Sequence, residues 1–278
     1  SSQRAFVTAT ARVLILACGV SLLAAAGDDG GARKSPADAK SPADAKVPAD
    51  AKAPGPPKTT TAQLIRVPTP IAGEVDTRLK AMIGELLSRW QDASERPTLI
   101  LEFGGDEAAQ RASQFERALS LARYLAGEKL GRVRTVAYLT GPVHGHAVLP
   151  VLACEQIIAH PDAELGQAGV ADDALDPTVR NGYVEIAERR RTIPQAVVLG
   201  MLDPQLAVSR VQTQDGVRFV LSAELDELQK QSAVRSVEQV IPAGQLGNFT
   251  GTELRLKYGL ASHLVRDRLQ LASALQLP

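Results

Sequence analysis

Two histidines flank a glycine where a strand pattern gives way to a helix pattern. His144, Gly145 and His146 follow the apolar run that ends at Leu139, and an apolar stretch of helical spacing begins at Ala147. A tight turn in this position can direct backbone N–H groups at a developing oxyanion, and histidine is the commonest general base near neutral pH. The segment could therefore activate water or bind a ligand, with His144 or His146 as the base.

These histidines also have simpler roles open to them. Both could be polar side chains that fill a cavity without touching a ligand. Metal binding by His144 and His146, with His160 or Cys154 as a third ligand, has suitable residue types, but the spacing fits no established template. We predict no metal and no other cofactor.

A pair of glycines, Gly104 and Gly105, directly follows the apolar strand pattern at 97–103. Their N–H groups could bind a carbonyl oxygen, because backbone donors do not depend on a side chain. A tight turn explains the pair equally well. Both interpretations place the pair at the end of a buried strand.

Strand and helix patterns alternate around these residues, which indicates β-α-β units, a parallel sheet and right-handed crossovers. An amphipathic helix is predicted after Pro194, and Asp215-Gly216 predicts a hairpin turn. A loop is predicted at 164–170, and a short helix ends at Gly259. The remaining predicted strands are 63–68, 97–103, 135–139, 156–159 and 263–265, and the predicted helices are 76–90, 115–125, 147–153 and 177–191.

The N-terminal part of the chain has a different character. Residues 1–26 have basic residues, a short apolar run and small residues in the order of a secretory signal, with an uncleaved or lipid-modified anchor as alternatives. Residues 27–62 contain a hexapeptide repeat rich in proline, alanine and charge, which predicts a disordered linker. We predict that one folded domain covers 63–278.

Composition limits the possible partners. The chain has 31 basic and 31 acidic residues, so no excess charge favours nucleic acid, and we expect none as a partner. Its two cysteines, Cys18 and Cys154, lie in an apolar leader and an apolar helix pattern, and a disulfide framework is not expected.

Three motifs in order resemble one family. They are the run 99–105, the histidine-flanked turn leading through 157–161 to 166–170, and the closing segment 256–261. Together they resemble the protease-like domain of NfeD-type membrane-bound serine proteases, relatives of ClpP and signal-peptide peptidase A, over about residues 63–275. The resemblance implies an α/β domain, the ClpP/crotonase-like β-β-α superhelix with a β-hairpin insertion, which often forms oligomers.

The resemblance also implies which residues would do the chemistry. Gly104 and Gly105 match the glycine pair that supplies an oxyanion donor, but Gly145 stands at the serine nucleophile and Val184 at the lysine base. No lysine occurs between Lys129 and Lys230, so a small misalignment cannot restore the base.

The resemblance without the dyad predicts an exported, non-catalytic module in the cell envelope. It would bind peptide through Gly104, Gly105, Gly145 and His146, or would assemble as a homo-oligomer or with a polypeptide or membrane-protein partner. The alternative is an active hydrolase that uses His144 or His146 as base, or a site that a partner completes. An acyl-CoA enzyme of the crotonase type is a more distant alternative, since no pair of carboxylates is placed at the glycine turns.

Overall fold

A computed structural model of the chain describes residues 61–170, 175–231 and 234–277. The predicted signal at 1–26, and the predicted linker except for its last two residues, lie outside the described residues. The first strand begins at Ala62, one residue before the predicted start of the folded domain.

The described residues form ten strands and eight α-helices. The strands are β1 (Ala62–Arg66), β2 (Thr98–Phe103), β3 (Arg134–Leu139), β4 (Gln156–Ala159), β5 (Glu164–Gly166), β6 (Val208–Thr213), β7 (Gly216–Leu221), β8 (Val234–Ile241), β9 (Asn248–Thr250) and β10 (His263–Leu264). The helices are α1 (Val75–Arg89), α2 (Glu107–Arg111), α3 (Phe115–Leu125), α4 (Val148–Leu152), α5 (Pro177–Arg190), α6 (Gln195–Leu202), α7 (Ser222–Gln231) and α8 (Arg268–Ala274).

The central sheet is parallel throughout and has the strand order β1-β2-β3-β4-β10. All six residues of β2 are buried, as are the last five of β3. Strands covered on both faces are apolar without a break, which is why the sequence shows continuous apolar runs here. The predicted α/β class, with its parallel sheet, is confirmed.

The core lies on both faces of this sheet. One face carries the large cluster that includes side chains of α1, α3, α4, α5 and α6. On the other face Leu271 and Leu275, in and just after α8, pack against Val136 and Ile158. The guanidinium of Arg268 donates to the nearly buried carboxylate of Glu102, with the shorter N–O distance 2.8 Å, and so ties α8 to β2.

Two smaller sheets complete the domain. Strands β5 and β9 pair antiparallel, and β6 lies between β7 and β8 in a three-stranded antiparallel sheet. The ring of Tyr258 joins these parts, because it packs edge-on against Phe219 of β7 and Phe249 of β9.

Several local predictions were wrong. The helix after Pro194, α6, is not amphipathic, because every residue from Ala196 to Leu202 is buried. The segment predicted as a loop at 164–170 contains β5. The predicted hairpin is present as β6 and β7, but its turn is at Gln214 and Asp215, one residue earlier than predicted, since Gly216 already pairs with Thr213.

The sequence pattern also did not indicate α2 or α8. Met82 of α1 is 48% exposed, although it lies three and four residues from the buried Leu79 and Leu86 of the same helix. Of the helices in the described ranges, none is both long enough and apolar enough to span a bilayer.

Candidate functional site

The turn at Gly145 begins a short 3-10 helix, Gly145–Ala147, between β3 and α4. Gly145 has φ +58°, in the left-handed region that glycine adopts without strain. Its N–H donates to the carbonyl of Gln167 at 3.1 Å. One of the predicted oxyanion donors, the N–H of Gly145, is therefore already bonded within the chain.

Helix α2 covers the turn. A Cβ placed on Gly145 would lie 3.3 Å from Cα of Arg111 and 3.4 Å from the carbonyl oxygen of Gln110. The first distance is shorter than an ordinary carbon contact, and the second is at the short end of the ordinary range. The main chain of α2 therefore crowds the space where a nucleophile side chain would stand.

Gly104 and Gly105 form a turn directly after β2, with φ +150° and +152°. A Cβ on Gly104 would overlap the hydroxyl of Thr140 and lie 2.9 Å from the amide nitrogen of Gly141, so close approach requires glycine at 104. Neither N–H of the pair donates to an acceptor in the described part of the chain. Gly105 is exposed and lines a cavity of about 460 Å³ together with Thr69.

His144 is buried between two carboxylates. Its Nδ1 lies 3.7 Å from Glu107 of α2, and its Nε2 lies 3.3 Å from Oε2 of Glu164 of β5. The directions do not suit hydrogen bonds, and neither ring nitrogen has a hydrogen-bond partner among the described residues. Glu164 accepts a hydrogen bond from Asn248 at 2.8 Å, and Glu107 pairs with Arg111.

His146 faces the aromatic core instead. Its Nδ1 lies 3.3 Å from the hydroxyl of Tyr183, and its ring packs edge-on against Phe115 with centroids 5.3 Å apart. The same hydroxyl donates to the carbonyl of Gly145 at 3.5 Å. The side chain of α5 that reaches the turn is thus that of Tyr183, while its neighbour Val184 is half-buried.

The sequence analysis missed Tyr183, Gln110 and Gln167. A signal for Tyr183 was present, because it is the aromatic residue next to the aligned position on α5. Gln167 lies within the motif 166–170, but the motif did not show that its carbonyl accepts from Gly145. Nothing in the local pattern marked Gln110, whose role depends on contacts made far along the chain.

The other predicted ligands lie apart from this turn. His160 accepts a hydrogen bond from the N–H of Asp162 at 3.2 Å, and Cys154 is buried with its thiol donating to the carbonyl of Pro150. Burial raises the pKa of the Cys154 thiol to about 12. Within the described ranges no three His, Cys, Asp or Glu side chains are grouped to hold a metal ion.

A serine-lysine contact occurs elsewhere, but it has the character of a structural ion pair. Lys80 of α1 donates to the hydroxyl of Ser120 of α3 and to the carboxylate of Asp76 at 2.9 Å. Burial raises the pKa of Asp76, but hydrogen bonds from Lys80 and Ser120 and the charges of Lys80 and Arg117 outweigh it, so the net shift is downward. Because Ser120 lies inside a helix, no free backbone N–H groups surround it to stabilise an oxyanion.

Comparison with protein families gives one match, which lies N-terminal to the described residues. A family described as a repeat of unknown function (DUF1388) matches residues 31–56, which include the hexapeptide repeat. No curated protein matches the chain.

Solved structures with a similar arrangement include a variant of the 1510-N membrane-bound stomatin-specific protease in complex with a substrate peptide. It is 10% identical, with a TM-score of 0.47 over 78% of this chain and 80% of that one. ThnE from S. clavuligerus is 15% identical, with a TM-score of 0.44 over 77% and 78%. A monofunctional enoyl CoA isomerase from M. smegmatis is 18% identical, with a TM-score of 0.42 over 80% of each chain.

Proposed function

We propose that this domain is a ClpP-class protease-like module without protease chemistry, which binds polypeptide or assembles with partners. The observation that carries the proposal is the state of Gly145. It has no side chain to attack with, its N–H is bonded to Gln167, and α2 crowds the space above it. Hydrolysis by a serine nucleophile at this turn would need a hydroxyl side chain and room for it.

Polypeptide binding is supported by the glycine pair. The N–H of Gly105 has no acceptor in the described chain and borders the 460 Å³ cavity. A peptide carbonyl is the acceptor such a donor suits, and it can be bound without any catalytic side chain.

The test is a binding measurement on the full chain. Its probe is fluorescein-labelled, carboxymethylated α-lactalbumin, which stays unfolded, and its readout is fluorescence anisotropy. We expect saturable binding that the Gly105→Ala variant weakens roughly fivefold. Alanine keeps the N–H, but it does not readily adopt φ +152° and its Cβ would lie 3.1 Å from Oγ1 of Thr69, so the backbone must shift. The shift would turn the N–H away from the bound carbonyl, and one neutral hydrogen bond contributes about 1 kcal/mol. The matched control is Gly216→Ala, since Gly216 also has a large positive φ (+131°) but faces open space.

Failure of the full chain to bind the probe would remove the peptide-binding part of the proposal. An equal effect of both alanine variants would place the binding elsewhere.

Assembly is supported by the three-stranded sheet. Strands β7 and β8 are both edge strands, and Val217 and Val237 on them are 44% and 43% exposed. An edge with apolar side chains is a template for pairing with another chain. We propose a homo-oligomer, and light scattering coupled to gel filtration tests it: a monomer at all concentrations would remove this part of the proposal.

A second candidate function rests on His144. Its Nε2 lies 3.3 Å from Glu164 without a hydrogen bond, and a small rotation that formed one would orient the ring as a general base. The domain would then be a hydrolase in which His144 activates water, after solvent reaches a side chain that is now buried. His146 is less suited to this role, since Tyr183 and Phe115 enclose it. Turnover that the His144→Ala change abolishes would establish this alternative.

Export to the cell envelope is proposed on the sequence of residues 1–26 alone. Cell fractionation of the natural host tests it, and recovery of the whole protein in the cytoplasmic fraction would contradict it.

A further inference from the structure

Helix α2 is one short turn lying over the site. A helix of five residues is far too short to be stable by itself, so α2 depends on its contacts with the rest of the domain. Among its residues only Gln110 is buried, while Glu107, Ala108 and Arg111 are exposed. The packing of α2 against the site therefore centres on Gln110.

The side chain of Gln110 is poorly suited to a permanent position in the core. Its side chain is completely buried, and neither its amide nitrogen nor its amide oxygen has a hydrogen-bond partner among the described residues. Burying an unpartnered amide is unfavourable, and an apolar side chain of the same size would hold α2 in place better. The position of α2 over the site is therefore less stable than it would be with an apolar side chain at residue 110.

The amide of Gln110 lies next to the free donor of the glycine pair. Its Nε2 is 3.8 Å from the point where a Cβ on Gly105 would stand, and its main-chain carbonyl is 3.4 Å from the corresponding point on Gly145. A carboxamide carries the same C=O and N–H groups as a peptide bond. Gln110 therefore has the chemistry of a peptide group and lies between the two turns of the site.

Helix α2 also separates two cavities. Ala109 lines the 460 Å³ cavity beside Gly105, and Arg111 lines a cavity of about 1060 Å³ on the side of Gln167. Gly145 lies beneath α2, next to Gln110 and Arg111, and its N–H bonds to Gln167. Moving α2 outward would join the two cavities into one channel that passes over Gly145.

The ends of α2 suit such a movement. Gly104 and Gly105 precede it and can change backbone angles at low cost. The other end is fixed, because Ser113 accepts a hydrogen bond from the N–H of Ile71 at 3.0 Å and the N–H of Gln114 donates to the carbonyl of Ile71 at 3.0 Å. The segment between a glycine hinge and this anchor can swing without disturbing α3.

We propose that α2 is an internal plug: the Gln110 carboxamide occupies a subsite for a peptide group, and an extended polypeptide binds in the channel that opens when α2 swings out. This proposal rests on the proposed peptide-binding function and adds the element that controls access. The bound peptide would satisfy the Gly105 donor that Gln110 leaves unpaired.

The test is the full-chain Gln110→Met variant, which keeps the length of the side chain and removes its polar atoms. Hydrogen exchange detected by mass spectrometry reports the opening of α2, whose amides bond within the turn, for example Gln110 N–H to the carbonyl of Asp106 at 3.1 Å. We expect exchange across 109–112 to slow by about tenfold or more, since relief of one unpartnered amide is worth that factor, with exchange in α3 unchanged. The matched control is Gln114→Met, because Gln114 is exposed.

Binding of the labelled, carboxymethylated α-lactalbumin should weaken in Gln110→Met by the same factor, since closing α2 reduces the binding-competent fraction. Equal exchange in the natural and variant chains would overturn the proposal, and so would slower exchange with unchanged probe binding. Slower exchange in a chain that never binds the probe would refute the peptide-binding function, while supporting the opening of α2.

Discussion

The Gly145→Ala variant tests whether α2 covers the turn, because it adds one methyl group on the side where α2 lies. In Gly145→Ala the new residue must adopt φ +58°, which costs about 1 kcal/mol for a residue with a Cβ. Its methyl group would also lie 3.3 Å from Cα of Arg111 and 3.4 Å from the carbonyl of Gln110, and relief of such crowding costs about 1 kcal/mol more. We expect a loss of about 2 kcal/mol in the free energy of unfolding.

The matched control is Gly73→Ala. Gly73 has φ +57°, and no atom lies within 4 Å of the position of its added Cβ, so this change costs the backbone term alone, about 1 kcal/mol. The effect of alanine on the unfolded chain is the same in both variants and cancels. Urea unfolding, followed by far-UV circular dichroism and by the fluorescence of Trp90, measures the two losses. Equal losses would refute the conclusion that α2 covers the turn.

Three further predictions concern the surroundings of the site. Glu102→Gln should lower the free energy of unfolding by about 1 kcal/mol and speed hydrogen exchange in α8, because it removes the charge that holds Arg268. The control is Glu74→Gln in an exposed pair, which should lower it by less than about 0.5 kcal/mol in the same urea experiment. Asp76→Asn should be destabilising near neutral pH. The folded-state pKa of Asp76 is lowered from 3.8, so the charged carboxylate stabilises the fold above that value and this stabilisation disappears as the pH falls below it. The difference in free energy of unfolding between the variant and the natural chain should therefore close at low pH. Cys154, whose pKa is raised to about 12, should stay unmodified by iodoacetamide at pH 8 until the protein unfolds, as peptide mapping would show.

The parallel sheet and its turns could be predicted because their signals are local. Strands β2 and β3 are buried on both faces and so read as unbroken apolar runs, and the glycines at 104 and 145 stand where backbone angles or close approach exclude a side chain. The predicted helix after Pro194 was correct in position only. Its burial on all sides depends on the hairpin and the core that enclose it, which no periodicity reveals.

The filling of the site could not be predicted for the same physical reason. Helix α2 has no apolar face, and its position over Gly145 follows from contacts with distant segments. Successive residues of a helix point about 100° apart, so a shift of one residue in the alignment changes which side chain faces the turn. The alignment places Val184 there, whereas the side chain that reaches the turn is that of its neighbour Tyr183. The sequence motifs therefore suggested where a site would lie, whereas the packing of α2 and Tyr183 determines which groups occupy that place.

The central claim, that the histidine-flanked turn is not catalytic, is tested most directly by turnover. The full chain and a His144→Ala, His146→Ala double variant are each incubated with a mixed peptide library, and mass spectrometry measures new peptide ends. The account predicts no cleavage above the protein-free blank for either chain. Cleavage by the natural chain that the double variant loses would contradict the account and show that a histidine has taken over the chemistry.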